Sequence, residues 1–291
     1  MDVPEVMLRL SVVVLNYNGR AWLDRCLSTL ASQRVVGGFE VILADNASPD
    51  GSGEDCRLWA QRHPWIRFLP LGSNLGFCAG NNAAARTARG KWLLFLNNDT
   101  WLEPDALERL VSGTEAVGAA SGMPLILDYD DNSFQAIGFS GFDLFGLGVP
   151  APPTTVTGPV LFPVGCAFLV LRQAFETVGG FDREFFMYAD EADLGFKLVL
   201  AGHDSVAVPH AVIHHRGAAN LKAMGDAATR GIRTSDTVRY YCNRNSLLVL
   251  LKVFRWIWIP MLPAHLFLLT LEGSFSGLVT RRLGARQSSF S

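Results

Sequence analysis

The 291-residue sequence predicts an α/β protein: a doubly wound, mostly parallel sheet with flanking helices, followed by a C-terminal helical appendage. Three observations carry this. Strand-like and helix-like segments alternate four times within about 110 residues, the pattern of successive βα units. The strand candidates are unbroken apolar runs, as strands buried on both faces must be. Each of the main runs ends in polar residues, at the sheet edge where ligands of such folds bind.

The elements follow in order. Leu10–Leu15 (LSVVVL) is a valine-rich strand, and Asn16-Tyr17-Asn18-Gly19 is the turn after it. Residues 20–33 carry Trp22, Leu23, Cys26, Leu27 and Leu30 at helical spacing. A second strand from about Phe39 to Ala44 ends at Asp45, and Ser-Pro-Asp-Gly-Ser is a loop before a helix over 53–62. Ile66–Leu69 is a third short strand. Asn74–Ala88 opens as a glycine-containing loop and becomes a helix. Trp92–Leu96 (WLLFL) is the fourth strand, with Asn97, Asn98 and Asp99 at its carboxyl end, and Glu103-Pro104 opens the next helix. The second half is less regular. Residues 128–160 read as a long loop, Val164–Leu171 as a strand, Asp190–Leu200 as a helix with an acidic start. Val206–Val208 is a short strand, with His214 and His215 after a further apolar step, and residues 236–255 are helical.

Composition bounds the function. Hydrophobic residues make up 49% of the chain and charged residues 18%, enough for a packed core and against disorder. Five scattered cysteines without C-x-x-C pairs give neither a zinc ribbon nor a disulfide framework, and favour a reducing compartment. The start, MDVPEVMLRL, is too acidic for a signal peptide. The net charge of −2 hides an asymmetry: residues 1–220 hold 15 Lys/Arg against 24 Asp/Glu, and residues 221–291 hold 10 against 3. A basic, apolar tail on an acidic body suits an anionic membrane surface better than nucleic acid. The alternative is a tail that pairs with the body.

Several side chains can carry chemistry. Asp99 is either a turn or cap residue or a carboxylate ligand for a hard divalent cation, Mg²⁺ or Mn²⁺, that neutralises a leaving diphosphate. Asp45 is either an Asx turn or an acceptor for the N–H of a pyrimidine base. Asn74, Gly76 and Asn81 flank a helix start, whose free N–H groups suit phosphate. Asp190, Glu191 and Asp193 either complement a helix dipole or supply the base that an inverting sugar transfer requires. Crowding of the three carboxylates would raise a pKa. His214 and His215 are either structural or supply one ring that completes the metal's ligand set or touches the diphosphate, with His214 taken as the metal ligand.

Together and in this order these segments resemble family 2 glycosyltransferases of the GT-A fold, in the rhamnosyltransferase-like branch. VVVLNYNG is similar to that family's opening strand and nucleotide loop, and ADNASPDGS to its D-N-x-S-x-D-G-S stretch, where the first Asp (Asp45) contacts the base. NLGFCAGNNAAARTARGKWLLFLNND resembles the block leading into the metal-binding strand end. GCAFLVLRQAFETVGGFDREFFMYADEADLGFKLVLAG resembles the acceptor-side block. The resemblance covers roughly residues 10–220. It implies an inverting enzyme that moves a sugar from a UDP- or dTDP-sugar, dTDP-rhamnose among them, to a glycan or lipid-linked acceptor in cell-surface polysaccharide synthesis. By position the base is Glu191, with Asp190 in reserve because the usual Glu-Asp order is reversed. Asn16, Tyr17, Asn18, Asp45, Asn74, Gly76, Asn81 and Asn98 would hold the nucleotide, Asp99 and His214 the metal. Gly165, Cys166 and Asp193 would lie on the acceptor side. Asn97-Asn98-Asp99 replaces Asp-x-Asp and leaves one carboxylate. Lys252 stands where the Gln of the processive Q-x-x-R-W signature would be, which implies single addition.

The expected organisation is a GT-A domain over 1–220, with a nucleotide half at about 1–115 and an acceptor half at about 116–220, then a tail over 221–291. Trp256–Leu271 is almost wholly apolar, and as a helix its sixteen residues span about 24 Å, short of the roughly 30 Å hydrocarbon core. With tryptophans at its start and Arg281 and Arg282 after it, it suits the interface, which places the enzyme in the cytoplasm at the inner face of the cell membrane. A full span, and a plain core or oligomer contact, are the alternatives. A nucleotidyltransferase or a Rossmann oxidoreductase would need a Gly-rich loop after the first strand, and NYNGRAWL is not one. A catalytically dead, glycosyltransferase-like scaffold is the competing class, disfavoured by the intact acidic positions.

Overall fold

The computed structural model describes residues 8–143, 148–217 and 236–264, together with 266–268, 270–271 and 274. The first half is a run of βα units: β1 (Leu10–Asn16), α1 (Arg20–Ala31), β2 (Phe39–Asp45), α2 (Ser52–Arg62), β3 (Ile66–Pro70), α3 (Gly76–Ala85) and β4 (Trp92–Asn97). These strands lie parallel, β1 between β2 and β4 and β2 beside β3. Successive side chains of a strand face opposite sides, so an all-apolar run needs cover on both. Val12, Val14, Leu94 and Leu96 pack beneath Leu23, Leu27 and Leu30 of α1. Val13, Ile42 and Phe95 pack on the other face, with Ala84 of α3. Burying each such Val, Leu or Phe is worth about 1.5–3 kcal/mol.

The rest of the chain extends the same sheet: β5 (Thr100–Leu102), α4 (Ala106–Ala116), β6 (Ser121–Asp128), β7 (Phe134–Ala136), β8 (Phe139–Phe142), β9 (Gly148–Pro150), β10 (Gly158–Val160), β11 (Ala167–Leu171), α5 (Arg172–Thr177), α6 (Asp190–Leu200) and β12 (Ser205–His215). The order is β10-β12-β6-β11-β4-β1-β2-β3, with β5 on β12 and β7 on β6. Strand β11 runs antiparallel between β4 and β6, so its beginning lies at the edge where β4 ends. The nucleotide and acceptor halves expected from sequence therefore share one sheet. The segment 128–160, read as loop, carries β7 to β10. Its Gly and Pro residues mask short strands: β8 and β9 pair with each other, β7 with the preceding β6, and β10 with the distant β12.

Residues 218–235 lie outside the described residues. Beyond them α7 (Asp236–Trp258) packs on α6, with Val249 and Leu250 buried. Among the described residues no helix is long and apolar enough to cross a membrane. Past α7, Ile259, Leu266, Phe267, Leu268 and Leu271 are exposed. Arg281 and Arg282, assigned above to a membrane interface, lie outside the described residues, as do the first seven residues of the acidic start.

Candidate active site

Four strand ends and one helix start meet at one edge of the sheet. Asn16, fully buried at the end of β1, is its hub. Its amide nitrogen lies 2.9 Å from Asp45 Oδ1, 3.0 Å from Ser48 Oγ and 2.8 Å from Ser52 Oγ, its two N–H groups shared among them, and its side-chain oxygen accepts from Asn98 Nδ2 at 2.8 Å. Ser48 donates to Asp45 through its hydroxyl at 2.6 Å and its backbone N–H at 3.2 Å. Parallel pairing sets Asn16 beside Asp45, which is 7% exposed. Tyr17 is exposed at the tip of the following turn, and Asn18, at φ 54°, donates its backbone N–H to Ser48 Oγ.

Gly19 makes room for this network. A Cβ there would sit 2.0 Å from Asn98 Nδ2 and 2.4 Å from Asn16 Oδ1. Its φ of −97° suits alanine, so only the crowding matters. Gly19→Ala should cost about 1–3 kcal/mol in urea denaturation, because it forces two hydrogen-bonded amides apart. An unchanged midpoint would show that the two asparagines yield freely.

Asp99 sits in the turn between β4 and β5. His215 Nε2 lies 3.4 Å from its Oδ1, and Asn97 Nδ2 is 3.4 Å from the same nitrogen. On the far side of the ring, Nδ1 meets Gln135 Oε1 at 2.8 Å; a carbonyl oxygen there can only accept, so Nδ1 carries a proton. Burial lowers the His215 pKa, but the Cys166 sulfur and the Asp99 carboxylate outweigh it and push it up to about 10. The metal assignment of His214 needs correction. Antiparallel register sets His214 opposite Trp101 and His215 opposite Thr100. His214 stacks on the Trp101 ring at 3.5 Å and turns Nε2 to Glu103 at 3.1 Å, so His215 is the histidine facing Asp99.

Asp190 and Glu191 open α6. Asp190 is buried, and burial together with the charge of Glu191 holds its carboxyl well above the usual range, against backbone N–H groups pulling it down. Burial also raises Glu191. Gly165 faces both: a Cβ there would lie 3.5 Å from Glu191 Oε2 and 3.8 Å from Asp190 Oδ2. The next residue, Cys166, touches the other end of the site. Its carbonyl accepts from Asn97 N at 2.9 Å and its sulfur meets His215. Two adjacent residues thus join the carboxylate pair to the Asp99–His215 pair.

Other expected site residues serve the frame. Asp193 is buried and bound by cations: Lys197 Nζ lies 2.6 Å from Oδ2 and Lys252 Nζ pairs with Oδ1. The Lys252 pair ties α6 to α7. The start of α3 is not a free phosphate anchor. Leu75 N donates to Asn46 Oδ1 and Gly76 N to Asn74 Oδ1, each at 2.9 Å. Phe77 N and Cys78 N both donate to the carbonyl of Phe186. Asn81 turns its amide to Phe77 O within its own helix. Gly76, at φ 79°, lies against the Phe186 ring, where a Cβ would be 2.5 Å from a ring carbon. Sequence reasoning gave no role to Ser48, Ser52 or Gln135, and named Asn46 and His215 only by their positions after strands. The pattern D-N-x-S ahead of a helix was the available signal for Asn46 and Ser48.

This sheet order, with a carboxylate in the turn after β4 and a carboxylate pair opening α6, is the GT-A architecture of glycosyltransferases. The glycosyl transferase family 2 model matches residues 11–179. The chain is 33% identical over 239 residues to the N-acetylglucosaminyl-diphospho-decaprenol L-rhamnosyltransferase of Mycobacterium tuberculosis strain H37Rv, covering 71% of this chain and 76% of that protein. It is 28% identical over 176 residues to the succinoglycan biosynthesis protein ExoO of Rhizobium meliloti, 60% of this chain and 48% of that one. Among solved structures, GalNAc-T7 with UDP, GalNAc and Mn²⁺ superposes with a TM-score of 0.63 at 18% identity, over 72% of this chain and 44% of that chain. S. aureus TarS 1-349 in complex with UDP-GlcNAc gives 0.60 at 14% identity, over 84% and 67%. The chain belongs to glycosyl transferase family 2 and is a rhamnosyltransferase-like glycosyltransferase.

Proposed function

We propose that the protein transfers single sugars, with inversion, from a UDP- or dTDP-sugar to a lipid-linked or glycan acceptor in cell-wall or polysaccharide synthesis. The observation that carries this is the joining of two chemistries by Gly165 and Cys166: a carboxylate–imidazole pair for the leaving diphosphate and a carboxylate pair for the acceptor hydroxyl. Asp45 accepts from the base, within the network of Asn16 and Asn98, and Tyr17 and Asn18 flank it. The relative that acts on N-acetylglucosaminyl-diphospho-decaprenol makes dTDP-rhamnose and a polyprenyl-diphosphate sugar the first substrates to try.

Asp99 and His215 fit a divalent cation. Once Nε2 is deprotonated, they offer one carboxylate oxygen and one ring nitrogen, whose tautomer Gln135 fixes. Among the described residues no cluster of three or more His, Cys, Asp or Glu could hold a metal, so the remaining positions fall to phosphate oxygens and water, as suits Mg²⁺ or Mn²⁺. When bound, the cation supplies charge neutralisation of the leaving nucleoside diphosphate. Glu191, with Asp190 beside it, takes the acceptor hydroxyl's proton as that oxygen bonds to the anomeric carbon and the bond to the diphosphate breaks. The GT-A domain extends over about 1–220 and is completed by α7. The exposed apolar residues beyond α7 and the basic tail support a peripheral position on the inner face of the cell membrane.

A thermal-shift screen of UDP- and dTDP-sugars with Mg²⁺ or Mn²⁺ should show stabilisation by one nucleotide series. Release of that nucleoside diphosphate should follow on adding an acceptor. Protein that binds and turns over none of them would support the competing scaffold role instead.

A further inference from the structure

The segment just before the carboxylate pair holds three non-glycine residues in the left-handed region: Phe186 at φ 61°, Tyr188 at 67° and Ala189 at 57°. Side chains disfavour that region, so the surroundings must hold this strap in place. The holding group is Asn245, fully buried on α7. Its amide nitrogen lies 2.8 Å from the carbonyl oxygens of Phe185, Met187 and Tyr188, and its two N–H groups are shared among them. The amide cannot be flipped. Its Oδ1 accepts from Arg244 Nε at 2.9 Å, and that nitrogen can only donate. The fourth carbonyl, Phe186 O, is held from the opposite side by Phe77 N and Cys78 N of α3. Around Asn245, α7 adds Arg244 to Glu184 O, Tyr241 stacked on Phe186 at 5.2 Å, and Lys252 paired with Asp182 and Asp193.

We propose that Asn245 is a positioning residue for the base: its amide gathers the carbonyls of the strap and so fixes where α6 starts and where Asp190 and Glu191 point. This rests on the carboxylate pair being the base, as argued above. An asparagine suits the task because it offers two donors and, unlike lysine or arginine, no charge to bury. The residue lies beyond the 11–179 match, on the helix that leads into the exposed apolar segment. Like α6 with Asp190 and Glu191, this helix lies outside the matched residues.

The test compares Asn245→Asp and Asn245→Ala with Glu191→Gln, Asp190→Asn and the unmodified full chain, at a temperature where circular dichroism shows each folded. Hydrogen exchange of the 182–191 peptide should quicken at least tenfold in both Asn245 variants, with peptides of β1 and β4 unchanged. With the donor that the thermal screen returns, kcat for transfer should fall at least thirtyfold. The donor KM and the affinity for UDP or dTDP with Mg²⁺ should stay within twofold. Asn245→Asp should be the worse of the two, since a carboxylate would face three carbonyls. Transfer within twofold of the unmodified enzyme overturns the proposal. So does a parallel loss of kcat, nucleotide affinity and protection across the whole sheet, which marks a general structural role. Normal transfer by both Glu191→Gln and Asp190→Asn would instead sink the base assignment, and this inference with it. Loss in either of those with normal Asn245 variants sinks this inference alone.

Discussion

Asp99→Ala should remove nucleotide binding and sugar transfer together. The carboxylate sits in a two-residue turn, 13% exposed, with His215 as its ion-pair partner. The truncation therefore leaves the strands that carry it intact. What it removes is the carboxylate proposed to hold a cation against a diphosphate. Cation stabilisation of a departing phosphate is worth several kcal/mol, so transfer should drop by about 3–5 kcal/mol, or two to four decades. Titrating UDP or dTDP with and without Mg²⁺ separates this from misfolding. The unmodified protein should bind tightly only with the cation present, because two protein ligands alone make a weak site. The variant should bind weakly in both cases, and chelator should change nothing further. Asp99→Asn sharpens the test, since it keeps the shape and loses the charge. Wild-type affinity of Asp99→Ala for the nucleotide with Mg²⁺ would remove Asp99 from the donor site.

How far the sequence exposes this site follows from which interactions are local. β1, β2 and β4 were legible because burial on both faces writes an unbroken apolar run, and Asp45 and Asp99 were legible because they end such runs. β6 was not: Gly122 and Pro124 interrupt its pattern, and Gly122 is there because a Cβ would lie 2.1 Å from Thr114 Oγ1. The choice between His214 and His215 hangs on strand phase. Alternation counted from Val206 fails, because the pairing of β12 with β6 shifts register between Val208 and Val212. The start of α3 looked open because the carbonyl that closes it, Phe186 O, belongs to a distant segment. Asn245 carries no local signal at all, its three partners lying 57 to 60 residues earlier. Runs and strand ends are properties of a few adjacent residues; hydrogen-bond partners across the fold are not.

Glu191→Gln should keep nucleotide binding and lose transfer by about two to four decades, the usual worth of a general base. The amide fills the same space and can still accept a hydrogen bond, but it cannot take a proton. Asp190→Asn tests the neighbour. If Glu191 is the base, Asp190→Asn retains more activity; transfer by Glu191→Gln at the wild-type rate, with Asp190→Asn inactive, would reverse the assignment. The raised pKa values also fix a sign. A carboxylate whose folded pKa lies above its unfolded value, 3.8 for Asp and 4.5 for Glu, costs no stability while both states are protonated. Above the unfolded value the folded state resists ionisation, so stability falls as pH rises until the folded group ionises too. Asp190→Asn removes that burden at neutral pH. It should therefore melt at a higher temperature than wild type at pH 7 and at about the same temperature near pH 3, while Tyr188, Ala189 and the strap stay as they are. The acid limb of wild-type transfer should lie above the ordinary carboxylate range for the same reason. A variant that is stabilised at pH 7 yet catalytically weaker would mean that the buried acid pair opposes folding and serves the reaction, with α7 and its Asn245 holding the strap against both strain and charge.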